Sequence, residues 1–572
     1  MPIFRLALAL LLAVSCAAPR VAPPDRAGAA PAATGPGVAA TAPAPSASAT
    51  ASPAAPAKSR ALQTWANGAV FYEVFVRSFQ DSDGDGKGDL AGLVSRLDYL
   101  NDGHPEGGKS LGVDALWLMP VFVSPSYHGY DTTDYDHINP DYGDDAAFAR
   151  LCAEAHRRGM HVVVDLVLNH TSVKHPWFVE SASSPQSPRR DWYVWSPTLL
   201  HWGQPWNPAG ETWHQRNGAY YYGLFWSGMP DLNFRNQAVR AEARRIAKLW
   251  LDRGVDGFRL DAARHLIEDG PGEKGQNDTP ETHAFWREFA AYVRGVKPDA
   301  ALIGETWSET PIIAPYYGDT NAVPGGDELP LNFDFPIAKS IVAGVRAQDG
   351  ARIAQTLAEV QKTYPPGATD VPFLTNHDQR RVASVLQDDP EQLRLAASVL
   401  LTLPGSPFLY YGEEIGLDNG PGDDDEQKRT PMPWDATPGG GFTTGKPWFR
   451  FAPGHERVNV AAEAEDPRSL LSHYRALLHL RHASKALGHG DLTLLPADKA
   501  LLAFTREAGG ERVLVVHNLG KEPATWQGAG IPVAAGAGER IFGAAGTLSA
   551  AGGAVRVELP GHASAIFRLP AR

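Results

Sequence analysis

A chain of 572 residues exceeds what one hydrophobic core usually supports, so more than one domain is expected. With 43% hydrophobic and 20% charged residues the composition is that of a folded protein and not of a disordered one. A formal net charge of -13 argues against a nucleic-acid partner, which needs a basic face, whereas a neutral polyol ligand is compatible with it.

The first sixteen residues read as an export signal: Arg5 precedes the apolar run LALALLLAV, which is too short to stay in a bilayer as a spanning helix. The run ends at AVSC, which resembles the lipobox of bacterial lipoproteins, with Ala13 a weaker choice at its first position. That resemblance implies a lipid on Cys16 and a protein held at the cell envelope, periplasmic or on the outer surface; the alternative is an ordinary cleaved signal with an incidental cysteine. The other cysteine, Cys152, falls in the helical pattern AAFARLCAEAHRRG and is expected in the core, so no intramolecular disulfide is left. Residues 17–60 are nearly all Ala, Pro, Ser, Thr and Gly, a composition that buries too little apolar surface to fold and serves as a tether.

From there β-rich runs alternate with helical patterns. Strands are predicted at 70–76, 113–119, 161–168, 255–261, 301–306, 331–335, 371–376 and 407–412, which suggests an α/β fold, a (β/α)8 TIM barrel over 61–170 and 235–487. About eighty residues separate the third strand from the fourth, too many for a loop, so 171–234 is expected to be an inserted domain over the barrel mouth. It is rich in aromatics, including Trp206, Trp213 and Trp226, most of them assigned to packing and a minority to the cleft. SLLSHYRALLHLRHASKAL reads as the last barrel helix, and the alternating strands of 488–572 as a C-terminal antiparallel β-sandwich.

Four strand ends carry polar clusters: DLVLNH with Asp165, Asn169 and His170; GFRLDAARH with Arg259, Asp261 and His265; GETW with Glu305; and FLTNHD with His377 and Asp378. On a barrel these ends converge, placing the carboxylates of Asp261, Glu305 and Asp378 with histidines and an arginine around one cleft. A close carboxylate pair breaks a glycosidic bond with retention, one attacking the anomeric carbon while the other protonates the leaving oxygen. Arg259, on the same strand face as Asp261, favours the ionised nucleophile, and neighbouring carboxylates raise the pKa of Glu305.

These four segments, with MPDLNF at 229–234, resemble the α-amylase family of glycoside hydrolases from about Val70 onward. The resemblance implies that Asp261 is the nucleophile, Glu305 the general acid/base and Asp378 the third carboxylate, with Tyr130, His170, Arg259 and His377 around the bound sugar and Asp165 beneath them. Exo-acting relatives close their pocket with an aspartate where Tyr127 stands, and the run Ala262, Ala263, Arg264, His265 looks like that of amylases, in which the basic residue and the histidine touch glucose units on the leaving-group side. The implied activity is endo-hydrolysis of α-1,4-glucans by a monomer. RTPMPWD at 429–435 points the other way, to oligo-1,6-glucosidases and neopullulanases, with Arg429 matching their sugar-binding arginine. An exo-acting glucosidase, a 4-α-glucanotransferase and a non-enzymatic glucan-binding lipoprotein are the alternatives.

DSDGDGKGDL sets Asp81, Asp83, Asp85 and Asp89 at spacings that suit Ca²⁺, with the Lys87 carbonyl as a further ligand; Gly92 stands where an EF-hand needs glutamate. A loop there binds calcium in relatives. Asn169 fits a second calcium position, with Asp191 as a guessed partner. DDDEQK at 423–428 reads as a solvated loop, and neither a zinc motif nor a phosphate-cradling loop is present.

Overall fold

The computed structural model describes residues 61–529, 538–543, 547–551 and 554–570; the signal-like segment and the tether, with Cys16, lie outside them. The barrel strands are β1 (Phe71–Val74), β2 (Ala115–Leu118), β3 (His161–Leu166), β4 (Gly257–Leu260), β5 (Ala301–Gly304), β6 (Leu331–Phe333), β7 (Thr369–Val371) and β8 (Phe408–Tyr410). All pair in parallel in the order β7-β6-β5-β4-β3-β2-β1-β8, and a parallel bridge from Phe373 to Phe408 closes the sheet into a barrel. The seventh strand is displaced from the predicted 371–376: its ladder with β6 stops at Val371, next to Pro372, which has no N–H to donate, and only the bridge at Phe373 follows.

Alternation along the strands fills the barrel and builds its mouth. Phe71, Trp117, Val163, Ile303 and Phe408 belong to the interior cluster. Two residues further along the same strands, on the same face, come Glu73 on β1, Asp165 on β3 and, past β5, Glu305. Gly257 sits where β4 meets β5 most tightly: a Cβ there would lie 2.4 Å from the Ala301 carbonyl oxygen.

The crossover helices bury one face each. In Asp145–Arg157 the Asp144 side chain caps the N-terminus, and Phe148, Leu151, Cys152 and Ala155 recur at helical spacing against the barrel. Burial there pushes the Cys152 thiol up to about 12, which leaves it an inert core residue.

The segment between β3 and β4 contains the helix Pro176–Ser183, a three-stranded antiparallel sheet (Trp195–Ser196, Trp213–Arg216, Ala219–Tyr222) and a short hairpin. Trp213, Tyr222 and Leu224 form its core, while Trp206 and Trp226 are about half exposed. The predicted last helix is two, Leu470–Ala483 and Lys485–His489, because the Ser484 hydroxyl accepts from the Leu487 N–H and caps a fresh start at Lys485. The C-terminal strands therefore begin at Asp491 and not at 488. They form a five-stranded and a three-stranded antiparallel sheet that share one core around Phe567, Leu514, Val557 and Trp526.

Candidate active site

Register places Asp165 of β3 directly opposite Arg259 of β4. Arg259 Nη1 donates to both Asp165 oxygens at 2.9 and 3.0 Å and to Asp261 Oδ1 at 2.6 Å. Its Nη2 pairs with Glu305 Oε1 at 2.8 Å. One fully buried guanidinium, 5.2 Å above the Trp117 ring, thus bridges the carboxylates of three neighbouring strands. The Ala262 N–H donates to Glu305 Oε2 at 2.9 Å from a backbone at φ 49°, a left-handed turn that bends the chain off the end of β4.

Burial, with help from Asp261 and Asp378, pushes the Glu305 carboxyl up to about 7 against the pull of Arg259. Asp378 behaves oppositely: burial opposes its charge, but His377 and Arg429 hold it below the usual carboxylate range. His377 Nδ1 lies 2.6 Å from Glu73 Oε1 and its Nε2 2.6 Å from the Tyr130 hydroxyl, which donates to Asp165 at 3.1 Å. Burial alone would strip the charge from His377, yet Asp378 and Glu73 lift its pKa to about 10.

The other two histidines are neutral. His170 is lowered by burial, and His265 falls to about 4 by burial and the nearby Arg264. Each keeps one ring nitrogen, Nε2 of His170 and Nδ1 of His265, buried without a partner among the described residues, free for a ligand hydroxyl. Trp206 and Phe225 of the insert bring their rings 5.7 and 6.0 Å from that of His265, making an aromatic wall where insert and barrel meet.

Arg264 departs from the expected contact with glucose. Its guanidinium is bound to Asp278 by Nε at 2.9 Å and Nη2 at 2.6 Å, to Glu273 at 3.0 Å, and to the Trp307 carbonyl by Nη1 at 2.8 Å. Carboxylates within reach of a rigid fork claim its donors, so Arg264 ties the loop after β4 to the loop after β5.

Sequence reasoning missed Glu73, though a glutamate inside the apolar run FYEVF already calls for a buried partner. It matched Arg429 to a sugar-binding arginine without finding its partners. In the structure Arg429 Nη2 donates to Asp378 Oδ1 at 2.9 Å, its Nε donates to the His377 carbonyl, and Lys428 Nζ holds the Asp378 carbonyl at 3.0 Å. Asp425, in the segment expected to be a solvated loop, faces Arg429 at 3.3 Å.

In the loop after β1, Asp81, Asp83 and Asp89 each bring a carboxylate oxygen within 4.8 Å of the others. Asp81 takes the N–H groups of Asp83, Gly84 and Gly86 and the Thr443 hydroxyl, which wraps the loop around it. Gly86 has φ 93° and no room for a Cβ, which would fall 1.9 Å from the Lys446 carbonyl oxygen. Asp85 lies outside the converging trio and accepts from the Lys87 N–H, while Lys87 Nζ reaches Asp141. Converging hard oxygens of this kind fit a calcium ion. Asn169 instead donates to Asp231 Oδ2 at 3.0 Å, and its own Oδ1 is buried without a partner among the described residues. Asp191, the guessed partner, lends only its carbonyl, to Asn233 and Asn236.

The family model for the α-amylase catalytic domain matches residues 73–490, which includes every residue of this cleft. The chain belongs to the α-amylase family of glycoside hydrolases. Alpha-amylase 3 of Dictyoglomus thermophilum is 41% identical to it over 463 residues, covering 80% of this chain and 86% of that one. An oligo-1,6-glucosidase of Parageobacillus thermoglucosidasius is 33% identical, covering 80% and 91%. Among solved structures, an α-amylase from H. orenii superposes with a TM-score of 0.77 at 36% identity, covering 88% of this chain and 99% of that chain. The α-amylase family member described here is therefore a (β/α)8 glycoside hydrolase with C-terminal antiparallel sheets.

Proposed function

We propose that this enzyme cleaves α-1,4-glucans internally and with retention. Asp261 attacks the anomeric carbon as Glu305 gives its proton to the leaving oxygen; Glu305 then takes a proton from the water that releases the sugar from Asp261. Two carboxylates on the two terminal nitrogens of one arginine suit the close spacing, about 5–5.5 Å, of a retaining pair better than the wider one of an inverting pair. A Glu305 pKa of about 7 suits a group that donates in one step and accepts in the next. Asp378, His377 and the neutral His170 are placed to hold the hydroxyls of the sugar being cleaved, with Tyr130 beneath its ring.

The internal mode rests on one observation. Where exo-acting relatives carry an aspartate, Tyr127 lies stacked on Trp448 at 5.5 Å, and Arg429 is turned onto Asp378. That end of the cleft therefore offers an aromatic edge where those relatives carry the aspartate, and the nearby Asp425 is turned onto Arg429. The test is a maltoheptaoside blocked at its non-reducing end. Release of short blocked fragments supports internal cleavage, whereas survival of the blocked substrate beside consumption of the unblocked one makes the enzyme an exo-acting glucosidase.

The Asp81, Asp83 and Asp89 carboxylates and the Lys87 carbonyl would hold a calcium ion that stiffens the loop after β1 and takes no part in the chemistry. The AVSC motif supports a lipid on Cys16 and a place at the cell envelope, which mass spectrometry of the mature chain would test.

A further inference from the structure

A second feature of the barrel mouth is not used by the cleavage chemistry. A cavity of about 820 Å³ starts at Trp307, two residues after Glu305, and at Gln379, one residue after Asp378, and extends beside the helix Phe335–Ala347. That helix has 13 residues and so spans about 20 Å, which makes the cavity an elongated groove leading away from the active site. At the upper end Trp307 is 47% exposed and backed by Phe335, with ring centroids 4.6 Å apart and planes 9° from parallel, a rigid platform for a sugar face. Gln379 keeps its Oε1 buried and without a partner among the described residues.

The charge along this groove runs against that of the chain. Lys339, Arg346, Arg352 and Arg380 line it, and Glu309 is its one carboxylate, in a protein of net charge -13. Lys339 and Arg346 lie seven residues apart on one helix face, with Val342 between them as apolar floor. Among the described residues Arg380 has one ion pair, at 3.3 Å to the almost fully exposed Asp423. Among the described residues no carboxylate lies within 4.0 Å of the charged nitrogens of Lys339, Arg346 or Arg352, unlike those of Arg264, Arg259 and Arg429 nearby. A row of unneutralised cations leading from a catalytic centre selects for negative charge on whatever extends there.

We propose that this groove receives the leaving-group side of the substrate and favours an oligosaccharide that carries an anionic substituent, a phosphate or a carboxylate, on its reducing-end side. This rests on the proposed glycosidic cleavage. The first ring beyond the scissile bond lies against Trp307, and the anionic group meets Lys339, Arg346 and Arg352 further along.

Three probes that share one glucan chain test it with the full-length enzyme: maltoheptaose reduced to its neutral alditol, oxidised at the reducing end to its carboxylate, or phosphorylated there. At low ionic strength the carboxylate or the phosphate form is expected to show at least a fivefold higher kcat/KM than the alditol. That ratio is expected to fall toward one in 0.5 M NaCl and in the K339A/R346A/R352A variant, whose melting temperature reports its folding. A preference for only one of the two anions identifies the substituent and supports the proposal. Equal rates for all three probes, or a preference that survives the triple variant, overturns it while leaving glycosidic cleavage intact. Failure to cleave the alditol or any neutral maltooligosaccharide overturns the proposed function itself.

Discussion

Glu73, on the first barrel strand, and His377, beyond the seventh, meet at 2.6 Å in the closed seam of the barrel, both side chains at most 2% exposed. The pair keeps His377 protonated, with its pKa at about 10, so that Asp378 always faces a cation. A group whose folded pKa is raised stabilises fully below its unfolded value, about 6.5 for histidine, and loses that contribution as pH rises through about 10. Glu73→Gln is expected to lower the His377 pKa and shorten the stable range at its alkaline end. Melting temperatures between pH 6 and pH 10 check this, and an unchanged alkaline limb would show that Glu73 does not hold the charge.

In the proposed mechanism Glu305 is protonated for the first step, and its pKa of about 7 places the alkaline limb of the turnover profile near neutrality. Glu305→Gln is expected to lower kcat by about 10²–10⁴ and to erase that limb. Asp261→Ala is expected to abolish hydrolysis. Full residual activity of the Asp261 variant would sink the nucleophile assignment.

Arg429 is a positioning residue acting through Asp378. With Arg429→Met the cation beside Asp378 is gone, so its pKa rises and protonation begins at a higher pH. The acid limb of kcat/KM is expected to move upward, with Arg429→Lys restoring part of it. A uniform loss of activity at all pH values would point to misfolding of the loop instead.

Tyr127→Asp creates a carboxylate at the end of the cleft where exo-acting relatives carry one. The variant is expected to shift products toward single glucose units released from chain ends and to slow the blocked maltoheptaoside. Chromatography of early products separates the two modes; an unchanged product pattern would mean that Tyr127 does not decide the mode of attack.

Calcium that binds the folded loop alone stabilises by about 2.7 kcal/mol at a hundredfold excess over its dissociation constant. Excess EDTA is expected to lower the melting temperature, added Ca²⁺ to restore it, and Asp81→Ala to remove the response. Indifference to both chelator and calcium would remove the ion from the Asp81 loop.

Much of this enzyme follows from local pattern. Short β-rich runs set between helical patterns mark all eight barrel strands, because parallel strands buried on both faces read as near-continuous apolar runs. The same short range places Asp261 beside Arg259, two residues apart on one strand, and converging strand ends imply Glu305 and Asp378 near them. Cys152, on the buried stripe of its helix, was legible for the same reason.

Partnerships across the fold were not. Arg264 looks available in sequence, yet Asp278 and Glu273 claim its guanidinium once the chain turns back. Asn169 finds Asp231 sixty-two residues on, and Glu73 finds His377 at a separation of 304. The strength of an ion pair depends on distance and burial, which closure of the barrel fixes and residue order does not. Sequence by itself therefore determined the barrel and the convergence of Asp261, Glu305 and Asp378 at its mouth. Tertiary structure alone decided which cation each carboxylate faces, and with it the split between a Glu305 held near neutrality and an Asp378 held ionised.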